Sequence, residues 1–240
     1  MFGFDLLKHW LSAAAVTLAP LLLLVLPALV LPGAEYTNAE EQARAFANSG
    51  FPYQGLVMQI TGAVLLVPAV QGMAGTVFRR RRGVILGMVG LVIGMVATFA
   101  LLLVLGIELG TAFVFSYGDD TEAKVALAVA MSRWPVYGAL LTIGFVAFSA
   151  TLPILAVALW RSRVVPIAVP LVFLLPIFVG FAPLPARASE LLVLFGLLLP
   201  CVWITVQLLR RPLLTPPITP APVREIVPPE ENLSTSEASR

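Results

Sequence analysis

The sequence predicts an all-α, polytopic helical membrane protein with six transmembrane helices, both termini in the cytoplasm and a disordered carboxy-terminal tail. Three observations carry that prediction. The 240 residues are 59% hydrophobic and 12% charged, about half the charged share usual in soluble domains, and the mean hydropathy is +0.97. The apolar residues form continuous runs, such as Pro20–Leu31 and Leu191–Leu199, and not the alternating segments that a membrane barrel requires. The basic residues gather at alternate ends of these runs.

Six runs are long enough to span, given a threshold of about 18 residues. They are Trp10–Leu31, Gly55–Phe78, Gly83–Ile107, Pro135–Trp160, Val164–Phe181 and Leu191–Leu209. The first is too long for the apolar region of a secretory signal, usually about 7–15 residues, so it is read as a retained helix. Residues 1–211 form the transmembrane domain, and residues 212–240 a proline-rich cytoplasmic tail.

Orientation follows from the short loops. Lys8, Arg79, Arg80, Arg81, Arg82, Arg161, Arg163, Arg210 and Arg211 fall at one set of ends, and Arg44, Lys124, Arg133 and Arg187 at the other. That asymmetry places both termini inside. Moving one charge against the membrane potential costs about 2.3 kcal/mol per 100 mV. The run Arg79–Arg82 is therefore the strongest orientation signal in the chain, and it is also a candidate site for anionic lipid. Trp10, Tyr53, Trp134, Tyr137 and Trp160 lie at span ends, as interfacial anchors do. The expected location is a bacterial inner or plasma membrane, with the preference for arginine over lysine read as bacterial coding bias.

The loops hold two short helices. Thr37-Asn38-Ala39-Glu40-Glu41 offers an N-cap with a glutamate three positions on, and predicts a helix to about Ala47. Tyr117-Gly118-Asp119-Asp120-Thr121 is a turn that caps a helix over Glu122–Ser132. Beyond Arg211, the prolines and polar residues cannot build a core. Pro217 and Pro220 there have a Pro-x-x-Pro spacing able to dock a partner protein.

The third run carries a seam of small residues. Gly83, Gly87, Gly90, Gly94 and Ala97 fall within an arc of about 80° on a helix, a face that admits another backbone closely. This run contains no proline, so it is expected to be a straight post, packed tightly in its inner half and splayed beyond. Pro20, Pro27, Pro68, Pro153, Pro170, Pro176 and Pro200 interrupt the other runs, where proline kinks a helix.

Chemistry-bearing residues are scarce. His9 is the only histidine and Cys201 the only cysteine, so no metal site, cofactor or catalytic residue is assigned. The segment Glu40-Glu41-Gln42-Ala43-Arg44 resembles the motif of intramembrane CAAX-type proteases. It lacks one residue before the arginine, and the family's histidines are missing, so a protease is excluded. The polar residues inside the spans are amides and hydroxyls that usually pair between helices. Gln59 and Gln71, flanking Pro68, together with Thr98, are the candidates for lining a cavity.

The reading is a non-enzymatic transporter or permease component for a small uncharged or lipophilic molecule. The alternative is a structural, assembly or regulatory subunit binding partner proteins through its tail or lipid-facing helices. The implied partners are the lipid bilayer, anionic lipid and possible partner proteins; nucleic acid is not among them.

Overall fold

The computed structural model describes residues 2–27, 39–49, 53–116, 120–176 and 186–210. The regular structure among them is helical throughout. It comprises α1 (Phe2–Pro20), continued by a π turn (Leu21–Val25), then α2 (Ala39–Ser49), α3 (Tyr53–Arg79), α4 (Val84–Ser116), α5 (Thr121–Ser132), α6 (Pro135–Arg161), α7 (Ala168–Val172) and α8 (Ala186–Arg210). Five stretches are long and apolar enough to cross a membrane: Leu7–Val25, α3, α4, α6 and Leu192–Arg210. The architecture is that of a multi-pass membrane protein.

The helices pack in a ring. α8 lies on α1, α1 on α3, α3 on α4 and α4 on α6, while the short α7 touches both α6 and α8. Each long neighbour runs antiparallel to the last. Gly72 meets Ser12 and Gly62 meets Ala19 and Leu23, so α3 descends where α1 ascends. His9 Nε2 lies 2.9 Å from the Leu208 carbonyl and Thr17 Oγ1 2.8 Å from Thr205 Oγ1. The start of α1 and the end of α8 therefore share one end of the bundle. The core follows helical spacing: Leu66, Val70, Met73 and Val77 of α3 interlock with Leu152, Leu155 and Leu159 of α6, all at 0–1% exposure. In lipid such contacts hold by dispersion and fit.

Proline has different effects at different places. α3, α6 and α8 run without a break through Pro68, Pro153 and Pro200. The backbone departs from α geometry where prolines cluster. Between Pro20 and Pro27 the Leu26 N–H bonds the Leu21 carbonyl, one residue further back than in an α-helix. Pro166, Pro170 and Pro176 remove three backbone donors within a short stretch. The predicted span Val164–Phe181 is accordingly not one helix over its described part. It is a turn, the five-residue α7, a second turn at Phe173–Leu174 and helical backbone again at Leu175–Pro176. Residues 177–181 lie outside the described residues, as do Thr37, the turn Tyr117–Asp119 and the tail from Arg211.

α4 is longer than expected. It continues past Ile107 to Ser116, 33 residues in all, or about 50 Å. Glu108 does not end it, because its carboxylate accepts a hydrogen bond from the Tyr137 hydroxyl of α6 at 2.9 Å. Contact between α4 and α6 thus extends from Gly83 beside Ala158, through Gly144 beside Leu101, to Glu108 and Tyr137. The splayed outer half expected for this pair is replaced by contact along the length of α6. The seam itself faces two neighbours: Gly87 abuts Val77 and Phe78, Gly90 abuts Leu155 and Ile154, and Gly94 abuts both Val70 and Thr151.

At the far end from Arg79–Arg82, α2 and α5 pack together. Asp120 caps α5 by accepting from the Glu122 and Ala123 amides. Arg44 of α2 forks between Glu40, at 3.1 Å, and Glu122, at 2.8 Å. These carboxylates, Glu122 foremost, hold the guanidinium above its ordinary pKa. Lys124 donates to the Phe115 carbonyl at 3.0 Å, tying α5 to the top of α4. Tyr53 is bonded to Ala112 and Ser116 of the same helix.

Candidate functional site at the arginine-bearing end

α3 ends at Arg79 and α6 at Arg161, and both flank the start of α4. Their carboxyl ends therefore open on the same side of the bundle. A helix end leaves carbonyls without partners, and the chain must bend sharply to satisfy them. At α6 the Arg163 amide bonds the Trp160 carbonyl at 2.8 Å and the Val164 amide bonds the Leu159 carbonyl at 2.9 Å. This pair of bonds is the Schellman closure, which needs a left-handed residue between them. Glycine is the usual occupant; here it is Arg163, at φ 56°. At α3 the Arg81 amide bonds the Phe78 carbonyl, and Arg81 has φ 55°. Holding a non-glycine residue in this region costs about 1–2 kcal/mol.

Gly83, at φ 73°, then turns the chain into α4. A side chain there would also press on the Ala158 carbonyl, 3.1 Å from the Cβ position. Ser162 locks the two turns together. It is buried, and its hydroxyl lies 2.5 Å from the Arg82 carbonyl and 2.8 Å from that of Ala158. The single hydroxyl proton is shared between them. The two arginine turns, far apart in sequence, are thereby joined into one surface.

Arg79, Arg80, Arg81, Arg82, Arg161 and Arg163 are all exposed on that surface, with Arg210 of α8 exposed at the same end. Against it opens a cavity of about 310 Å³, lined by Trp160, Arg163, Val164, Val165, Pro166 and Gln207. The turn after α6 supplies one wall and α8 the other. Val164 and Val165 are buried, while Trp160 is 39% exposed. The opening thus combines two valines, a cation, an amide and an aromatic rim, and its surface is more polar than apolar.

The other sequence candidates fall elsewhere. Gln59 is half-buried on α3, whereas Gln71 is exposed on the outside of the same helix. Thr98 is buried, and its hydroxyl donates to the Gly94 carbonyl of its own helix at 2.8 Å. These three are not brought together. Thr151 likewise bonds the Ala147 carbonyl, and Thr205 reaches the Ala13 carbonyl of α1 at 2.9 Å. Among the described residues, no buried side-chain nitrogen or oxygen lacks a hydrogen-bond partner. No three His, Cys, Asp or Glu residues among them are grouped to hold a metal ion.

Sequence reasoning took Arg161 and Arg163 as orientation markers and passed over Ser162. The signal for that serine was its position between two arginines just past a helix end, where a small donor can satisfy carbonyls. Comparison with protein-family models, curated proteins and solved structures finds no match.

Proposed function

We propose that the protein is a structural or regulatory subunit of a plasma or inner membrane, acting through what it binds at its cytoplasmic, arginine-bearing end. The observation that carries this reading is the fusion of the two arginine turns by Ser162 into one basic surface. Surfaces of this kind attract the anionic inner leaflet, at about 1 kcal/mol per basic residue. The span threonines support the same reading, since Thr98 and Thr151 bond their own helices and Thr205 bonds α1.

The orientation belongs to the proposal. Lys8, the two arginine turns and Arg210 lie at one end, which the positive-inside rule assigns to the cytoplasm. With Arg161 and Arg210 both at that end, the chain crosses a sixth time between α6 and α8, and the described part of that stretch, residues 162–176, is irregular. Both termini are then cytoplasmic. Irregular backbone is tolerated at membrane depth where protein covers it, and Val169, Pro170 and Phe173 are buried here.

Cysteine labelling tests the arrangement. In a Cys201→Ala background, a cysteine replacing Asp120 reacts with a membrane-impermeant maleimide in intact cells. One replacing Arg81 reacts only after permeabilisation. The reverse pattern overturns the orientation, and labelling of both from outside overturns the six crossings.

A second reading, transport of a small uncharged or lipophilic molecule, is favoured by one feature. The π turn of α1 lies on Gly62, one helical turn from the half-buried Gln59, and non-α backbone within a span is a device of transporters. A cysteine at position 59 that reacts with impermeant reagent from both sides supports transport. A cysteine protected from both sides removes its basis.

A further inference from the structure

We propose that the cavity formed by Trp160, Arg163, Val164, Val165, Pro166 and Gln207 is a binding site for the headgroup of an anionic phospholipid. The inference deepens the reading of the arginine-bearing end and rests on that end lying at the membrane boundary. Three observations converge on it.

The first is size and lining. A volume of about 310 Å³ is at the small end of ligand sites, commonly about 300–1,000 Å³. It is large enough for a phosphodiester with a small polar headgroup. Arg163 supplies planar donors suited to a phosphate. Gln207 adds an amide for a phosphate or headgroup oxygen. Trp160 sits at the rim, and tryptophan prefers the depth of the headgroups and carbonyls.

The second is the backbone at Arg163. Glycine would close α6 without strain, yet an arginine stands in the left-handed position. Such outliers collect where a side chain is used. Here the side chain held at that cost lines the cavity.

The third is what lies beside the cavity. From Pro166 at its rim, the exposed apolar residues Ile167, Leu171, Leu174 and Leu175 continue along α7 and the turn after it, toward Gly196 of α8. The chain therefore offers an apolar track leading from a cationic cavity into the bilayer. Free phosphate has no use for that track; a lipid has.

The substitution Arg163→Gly separates binding from folding. Glycine suits φ 56°, so the closure of α6 is kept, and the melt of the variant in lipid-free detergent is the baseline from which its response to lipid is read. Loss of one charged hydrogen bond weakens phosphatidylglycerol binding by roughly tenfold or more. The experiment adds palmitoyl-oleoyl phosphatidylglycerol, the matching phosphatidylcholine, or inorganic phosphate to the delipidated full-length chain. Thermal shift and native mass spectrometry provide the readouts. The parent chain is expected to retain and be stabilised by phosphatidylglycerol alone, and Arg163→Gly and Gln207→Leu to lose that response.

An equal response to phosphatidylcholine overturns the proposal, as does an undiminished phosphatidylglycerol response in Arg163→Gly. A stabilisation reproduced by inorganic phosphate makes this a free-anion site and overturns the lipid assignment. Arg80→Gln is the control for bulk charge, and it leaves retention unchanged. The labelling experiment on positions 81 and 120 stands apart, so a misassigned orientation is distinguishable from an absent lipid site.

Discussion

Replacing Gly62 by alanine adds one methyl group where α3 lies on the π turn of α1. The methyl would sit 2.5 Å from the Leu23 amide nitrogen and 2.9 Å from the Ala19 carbonyl oxygen. Ordinary contact for a Cβ begins at 3.4 Å, so the two backbones must part by roughly 0.9 Å. Backbone atoms in a helix cannot rotate away as a side-chain tip can. Overpacking of this kind costs about 1–3 kcal/mol, and the better helix propensity of alanine offsets about 0.5–1 kcal/mol. The expected result is a net loss of about 1–2 kcal/mol. The same change elsewhere has a different sign. Gly106 and Gly110 have nothing within 4 Å of the Cβ position, so alanine there is neutral or stabilises by up to about 1 kcal/mol. At Gly90 the methyl meets the Leu155 side chain at 2.7 Å, which can shift in part, and the outcome lies between the two. Unfolding in mixed micelles, followed by far-UV circular dichroism, ranks the variants. A Gly62→Ala protein as stable as the parent, or a Gly106→Ala protein equally damaged, refutes the reasoning.

Three further outcomes follow from contacts described above. Ser162→Ala removes the hydroxyl clasp between the arginine turns, with a loss of about 1 kcal/mol; limited trypsinolysis at Arg79–Arg82 becomes faster, and an unchanged cleavage rate counts against the clasp. Thr205→Val keeps shape but deletes the bonds to Thr17 and Ala13, at about 0.6 kcal/mol, read from the same unfolding titration. Glu122→Gln weakens the tie from Arg44 to α5, so hydrogen exchange in Ala39–Ser49 rises. Because that pair is exposed, the difference from the parent shrinks at high salt.

Much of the helical framework was legible because its signals are local. A run of apolar residues, a four-arginine stop and Asp120 ahead of Thr121 are each readable within a few positions. The third run was cut short at Ile107 because an acid reads as an end. Only the pairing with Tyr137, 29 residues on, lets Glu108 sit inside the helix. The fifth run was read as a span because its hydropathy is high, while three prolines decide its backbone. Gln71 was chosen for its nearness to Pro68, yet Leu66, Val70, Met73 and Val77 set the inward face, and Gln71 lies off it. The site depends on contacts that no local pattern reveals: Ser162 reaches a carbonyl 80 residues away, and Gln207 meets the turn after α6 only when α8 folds back.

The length of α4 bears on how the molecule responds to its surroundings. A rod of about 50 Å in a hydrocarbon layer of about 30 Å would need a tilt beyond the 0–40° seen for spanning helices to stay within it. It therefore projects from one face, and the pair α2 and α5 rides on the projection. The neighbours of α4 hold it along most of this length, α6 as far as Glu108 and Tyr53 of α3 at Ala112 and Ser116. Spanning helices change tilt when the bilayer thins or thickens. In this molecule α4 is tied to α3 and α6, so such a change tilts the three together and carries α2 and α5 with them.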